Sequence, residues 1–145
     1  MSGTNPNLQS TIIPTLRYRN APDAIDWLCR VFGFERHAVY TGPNNTVGHA
    51  ELILGGGMVM LGSHKDDAYG QGFKSPEDVG GYETRSTYII APDIDAVYAR
   101  AKEAGGSIIR ELQGTEYGSR EFSVKDPEGH SWGVGTYNPW AAQTT

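Results

Sequence analysis

The chain has little cysteine, little positive charge and no long apolar run. Its single cysteine, Cys29, cannot close an internal disulfide. It stands among apolar residues at helical spacing and reads as a reduced, buried thiol. No apolar stretch approaches the roughly 20 residues that span a bilayer, and no charged-then-apolar leader opens the sequence. A cytoplasmic protein with no membrane partner is expected. Lys and Arg number 12 against 17 Asp and Glu, a formal charge of -5. That balance excludes a general nucleic-acid binder, which needs a basic stripe to neutralise phosphates. In a cytoplasmic protein the sequon Asn44-Asn45-Thr46 reads as a turn rather than a glycan site. What remains is one domain of 145 residues, long enough to bury a core of its own.

The order of elements repeats. "TIIPTLRY" (Thr11–Tyr18) reads as a strand, and Pro14, lacking an amide donor, puts it at an edge or leaves that position unpaired. A helix follows from Asn20 or Ala21 to a stop at Gly33, with Pro22 in its first turn. Ile25, Leu28, Cys29 and Phe32 share one helical face. Trp27 falls off that stripe, which suits a strand edge or a subunit contact. Three short strands come next, separated by Gly-Pro-Asn-Asn and Gly-Gly-Gly turns. After a Gly-, Asp- and Tyr-rich stretch, "STYIIAP" is again a strand. "DIDAVYARAKEAGG" is a helix capped by Asp93 and expected to run about one turn longer than the first. "SIIREL", "REFSVKD" and "HSWGVGTY" are three more strands. The chain thus reads as two βαβββ modules, about 11–62 and 86–137, joined by a loop over 63–85.

This doubled pattern, with Asp126-Pro127-Glu128-Gly129-His130 before the last strand and Gly33-Phe34-Glu35 after the first helix, resembles the vicinal oxygen chelate superfamily. "IPTLRYRNAPDAIDWL" and "MVMLGS" look most like its small bacterial glyoxalase/bleomycin-resistance-like branch. The resemblance implies an α+β fold in which two modules build curved mixed sheets enclosing a cup, with helices on the convex backs.

Side chains alternate along a strand, so each strand has a cup face and a helix face. His49, Glu51 and Ile53 then look into the cup while Ala50, Leu52 and Leu54 pack backwards. Glu121 and Ser123 look forward, Phe122 and Val124 back. Ser131, Gly133 and Gly135 look forward, Trp132 and Val134 back. Ser86, Tyr88 and Ile90 look forward, Thr87 and Ile89 back.

The family's metal ligands, usually His, Gln or Glu, come one each from strands one, four, five and eight. The resemblance places those positions at Ile13, Met60, Ser86 and Gly133. None is a good ligand for a divalent metal, and a slip of one residue gives Pro14, Leu61, Thr87 and Trp132, which are no better. Of the four histidines only His49 is read as facing the cup. His37 falls on strand two, His64 in the loop and His130 in the turn. No metal and no cofactor is expected.

His49, Glu51 and Glu121 form the best polar group for the cup. A carboxylate beside an imidazole can act as base and orienter, or the three can simply orient a ligand. Tyr40, Met58, Met60, Ser86, Tyr88 and Ser123 are candidate ligand contacts. The reading that follows is a metal-free small-molecule binding protein that could sequester an aromatic or cationic compound. Its rivals are a lyase or isomerase, either metal-independent through His49 and Glu51 or using non-standard metal ligands, and a module whose cup is filled by its own side chains. A homodimer is expected, in keeping with the aromatic tail that carries Tyr137 and Trp140. The loop over 63–85, with Tyr69, Phe73 and Tyr82, is either a lid on the cup or a fixed connector.

Overall fold

A computed structural model describes residues 9–141. Two four-stranded sheets carry the predicted modules. In chain order the elements are β1 (Thr15–Tyr18), α1 (Ala21–Phe32), β2 (Glu35–Gly42), β3 (Thr46–Leu54), β4 (Gly57–Ser63), β5 (Thr87–Ile90), α2 (Ile94–Glu103), β6 (Ser107–Gly114), β7 (Arg120–Lys125) and β8 (Ser131–Gly135). The first sheet has the order β1-β4-β3-β2 and the second β5-β8-β7-β6. In each, the first strand of the module pairs in parallel with the last, and the remaining pairs are antiparallel.

The first strand is shorter than the sequence suggests. It begins at Thr15 because Pro14 has no N–H for a ladder, although the Pro14 carbonyl still accepts from Met60 N at 3.0 Å. The helix lengths are also reversed from expectation, with 12 residues in α1 and 10 in α2. Asn20 caps α1 by accepting from Asp23 N, and Gly33 ends it in the left-handed region. The Asp93 side chain makes no cap bond. At the other end of α2, Gly105 turns to φ +81°, stopping the helix before the Gly pair that seemed to prolong it.

α1 packs on β1, β3 and β4, α2 packs on β6 and β7, and the two helices touch. Phe32 and Phe34 of the first module meet Trp132 on the back of β8, with ring centroids 5.3 and 6.2 Å apart. Trp27 belongs to this core and donates from Nε1 to Ala104 O at 3.0 Å, which settles its place in the chain's own packing. Cys29 is half-buried at the edge of the core, and burial pushes its thiol up. The backs of both sheets and both helices therefore share one core. The forward faces look away from it.

The Asp126–His130 turn latches the two modules together. Buried Asp126 accepts from Tyr18 Oη at 2.6 Å, Trp132 Nε1 at 3.1 Å, and the amides of Glu128 and His130 at 3.0 Å each. Glu128 accepts from the amides of Arg19 and Asn20, at the entrance to α1. His130 is within 3.0 Å of Arg17 O and 2.6 Å of Glu83 Oε2. Burial pushes the Asp126 carboxyl up, against the pull of its hydrogen bonds, and burial followed by the Asp126 charge pushes the Tyr18 phenol well above its ordinary value.

Candidate functional site

The alternation read from the sequence describes both forward faces. On the first sheet Leu16, Tyr18, Ala50, Leu52, Val59 and Leu61 pack backwards. His49, Glu51, Met58 and Met60 are left forward and half-buried. His49 Nε2 lies 2.9 Å from Glu51 Oε2. The Tyr40 ring stacks on His49, with centroids 6.2 Å apart and planes at 23°. His37 joins this group, its Nε2 3.9 Å from Glu51 Oε1. It arrives there because the β2–β3 register slips between Arg36 and Ala38, leaving His37 as the extra residue of a bulge. No two-residue alternation announces a bulge, so His37 was not legible as a site residue.

On the second sheet Phe122, Val124, Trp132 and Val134 are fully buried, and Glu121, Ser123, Gly133 and Tyr88 lie forward. Glu121 forms an ion pair with Arg110 of β6 and accepts from Tyr117 Oη at 2.9 Å. Tyr117 packs edge-on against Tyr137, 5.7 Å away. The hydrogen bond to Glu121 raises the Tyr117 phenol, while partial burial, then the Glu121 charge, raises that of Tyr88. Arg110 escaped the sequence reading because β6 slips register on either side of it. Glu121 is thus held by its own sheet. It has no hydrogen bond or ion pair with His49 or Glu51, so the three predicted polar residues form two groups, one on each forward face.

The positions that the resemblance implies for metal ligands lie as follows. Met60 lies forward on β4, opposite Thr15 and Glu51. Gly133 has no side chain, and a Cβ there would stand 3.7 Å from the Tyr88 ring. A Cβ on Gly135 would come within 2.5 Å of Tyr88 Oη. The Tyr88 ring therefore lies across the two glycines, with Oη donating to Tyr137 O at 2.8 Å. Tyr88 thus borders Gly133, the strand-eight position that the resemblance implies for a metal ligand. A thioether, a hydroxyl and a glycine do not make a site for a hard or borderline divalent cation. Among the described residues, no cluster of three or more His, Cys, Asp and Glu has metal-site geometry.

The connecting loop is anchored through its second half. Glu83 holds His130 and the Ser131 amide, each at 2.6 Å, and Gly81 O accepts from Lys125 Nζ at 2.7 Å. Glu77 and Asp78 pair with Arg19, so their charge is spent at the module junction. The first half lays Tyr69 and Phe73 over the Arg17 guanidinium, 4.8 and 6.0 Å from the ring centres.

The family model of the Glyoxalase/Bleomycin resistance protein/Dioxygenase superfamily matches residues 11–134. The uncharacterised protein Mb0911c of Mycobacterium bovis is 30% identical over 129 residues, covering 89% of this chain and 84% of that one. TioX from Micromonospora sp. ML1 has a similar structure, with a TM-score of 0.68 and 31% identity over 89% of this chain and 99% of that one. The fosfomycin resistance protein FosX from Listeria monocytogenes shares the fold, with a TM-score of 0.67 at 11% identity, covering 91% of this chain and 96% of that one.

Proposed function

Because the chain belongs to the glyoxalase/bleomycin resistance protein/dioxygenase superfamily, we propose that it is a branch member that binds a planar aromatic or cationic small molecule without a metal. The observation that carries this reading is Tyr88, whose ring lies beside Gly133, the strand-eight position that the resemblance gives to a metal ligand, and over Gly135. Tyr40, Tyr88 and Tyr117 support it. They are 62%, 43% and 64% exposed on the two forward faces, and flat rings of this kind give large contact area at small entropic cost. Glu51 adds a carboxylate suited to a cationic edge, whereas Glu121 is already paired with Arg110.

Each forward face is half of a cup and looks away from the chain's own core. The reading therefore includes a homodimer, in which a second copy closes each cup. Tyr137 and Trp140, 40% and 89% exposed, are further surface for that contact. Light scattering at micromolar concentration is expected to give twice the 15.8 kDa chain mass, and a monomer throughout would remove the closed cup.

Titration with 9-aminoacridine, a planar aromatic cation, tests the binding itself. Saturable binding is expected, weakened roughly tenfold by Tyr88→Ala through loss of a stacking surface. Binding that ignores Tyr88→Ala, or no binding, counts against the reading. A second reading, a metal-independent lyase or isomerase, rests on the His49–Glu51 contact at 2.9 Å. It requires that a bound compound be converted to product, and that His49→Ala abolish the conversion.

A further inference from the structure

A cleft of about 460 Å³ opens where β1 and β5 approach each other beneath the connecting loop. Its lining shares Ser86 and Ser131 with the forward face of the second sheet but includes none of Tyr40, His49, Glu51, Tyr88 and Glu121, so it is distinct from the two polar groups. Its size falls within the range of small-molecule sites, roughly 300–1,000 Å³.

Three cations line this cleft: Arg17 from β1, and Lys74 and Arg85 from the loop. None of them forms an ion pair among the described residues, in a protein whose net charge is -5. Every other arginine of the module junction and second sheet that touches a carboxylate does so away from this cleft: Arg19 with Glu77 and Asp78, Arg110 with Glu121, Arg120 with Asp95. The single carboxylate in the lining, Glu83, is already held by His130 and the Ser131 amide.

Arg17 is also seated. Its side chain crosses its register partner Gly62, where a Cβ would stand 2.7 Å from a guanidinium nitrogen. Tyr69 and Phe73 cover the guanidinium. A guanidinium stacked on rings keeps its N–H edge for a planar, bidentate oxyanion. Hydroxyls of Thr84, Ser86 and Ser131 supply further donors, and Phe73 and Tyr82 offer flat walls.

From this arrangement we infer that the cleft is a second binding site, taking a small organic oxyanion that carries a planar ring. Like charges repel, so an anion must find local positive potential to settle on an acidic protein. The three unpaired cations supply it.

Calorimetric titration of the full chain with phenyl phosphate and with benzoate tests the inference. At low ionic strength at least one binds saturably, and added salt weakens it. Preference for phenyl phosphate identifies a phosphate monoester, and equal or better binding of benzoate identifies a carboxylate. Lys74→Ala with Arg85→Ala reduces affinity at least roughly tenfold, the scale of a lost charge-assisted contact. Both residues are exposed, so the melting temperature should hold, which separates lost binding from lost fold. Tyr88→Ala keeps the anion affinity, so failure of the cup reading and failure of this one are distinguishable. No binding at millimolar ligand overturns the inference, as does affinity unchanged in the double variant. A double variant that changes the light-scattering mass instead makes the cleft a subunit contact, and that also overturns it.

Discussion

Replacing Asp126 with alanine is expected to destabilise the protein by about 3–5 kcal/mol, since each buried donor left without an acceptor costs about 1–3 kcal/mol. The carboxylate accepts from the Tyr18 hydroxyl, the Trp132 indole and two backbone amides. Tyr18 and Trp132 are fully buried, so their donors cannot turn to water. Tyr18→Phe removes one donor together with its need for a partner, so it should cost much less, about 1 kcal/mol. Denaturant unfolding of both variants checks this. A loss below about 1 kcal/mol for Asp126→Ala would mean that the buried donors find other acceptors.

Trp132→Ala should cost a similar amount, about 3–5 kcal/mol, the usual range for emptying a large buried aromatic site. The ring has no exposed surface and touches Phe32 and Phe34 of the other module. The further consequence concerns cooperativity. Both helices and both sheet backs share one core, so the variant should still melt in a single transition at lower temperature. Two separated transitions in calorimetry would show that each module is held by its own half of the core. The losses in Asp126→Ala and Trp132→Ala should not add, because the two side chains are hydrogen-bonded to each other.

Alternation made most of the two forward faces legible from the sequence. It depends only on the pleat and on knowing which residues are apolar, so Ala50, Phe122, Trp132 and Val134 fixed the direction of their neighbours. It failed where the pleat fails. The bulge at His37 and the slips around Arg110 put both residues into polar groups that a two-residue period cannot foresee. Arg17 was missed differently. Its partners, Tyr69 and Phe73, sit on a loop without period, and its place depends on Gly62 opposite. The latch was hidden by distance: Tyr18 and Asp126 are 108 residues apart, and a turn sequence explains its own shape without naming the strand it meets. The division of His49, Glu51 and Glu121 into two groups has the same origin, since forward on each sheet does not mean facing one another.

Binding of a ligand without a metal is the proposal to be tested: the resemblance puts Ile13, Met60, Ser86 and Gly133 at the family's ligand positions, and Tyr88 borders the last of them. A bound metal contributes folding free energy and is lost to a chelator. The most direct measurement is elemental analysis of protein purified without chelator, paired with thermal melts before and after prolonged chelation. The account predicts far less than one metal per chain and an unchanged melting temperature. Near-stoichiometric zinc, nickel, manganese or iron, with the melting temperature falling on chelation, would contradict it.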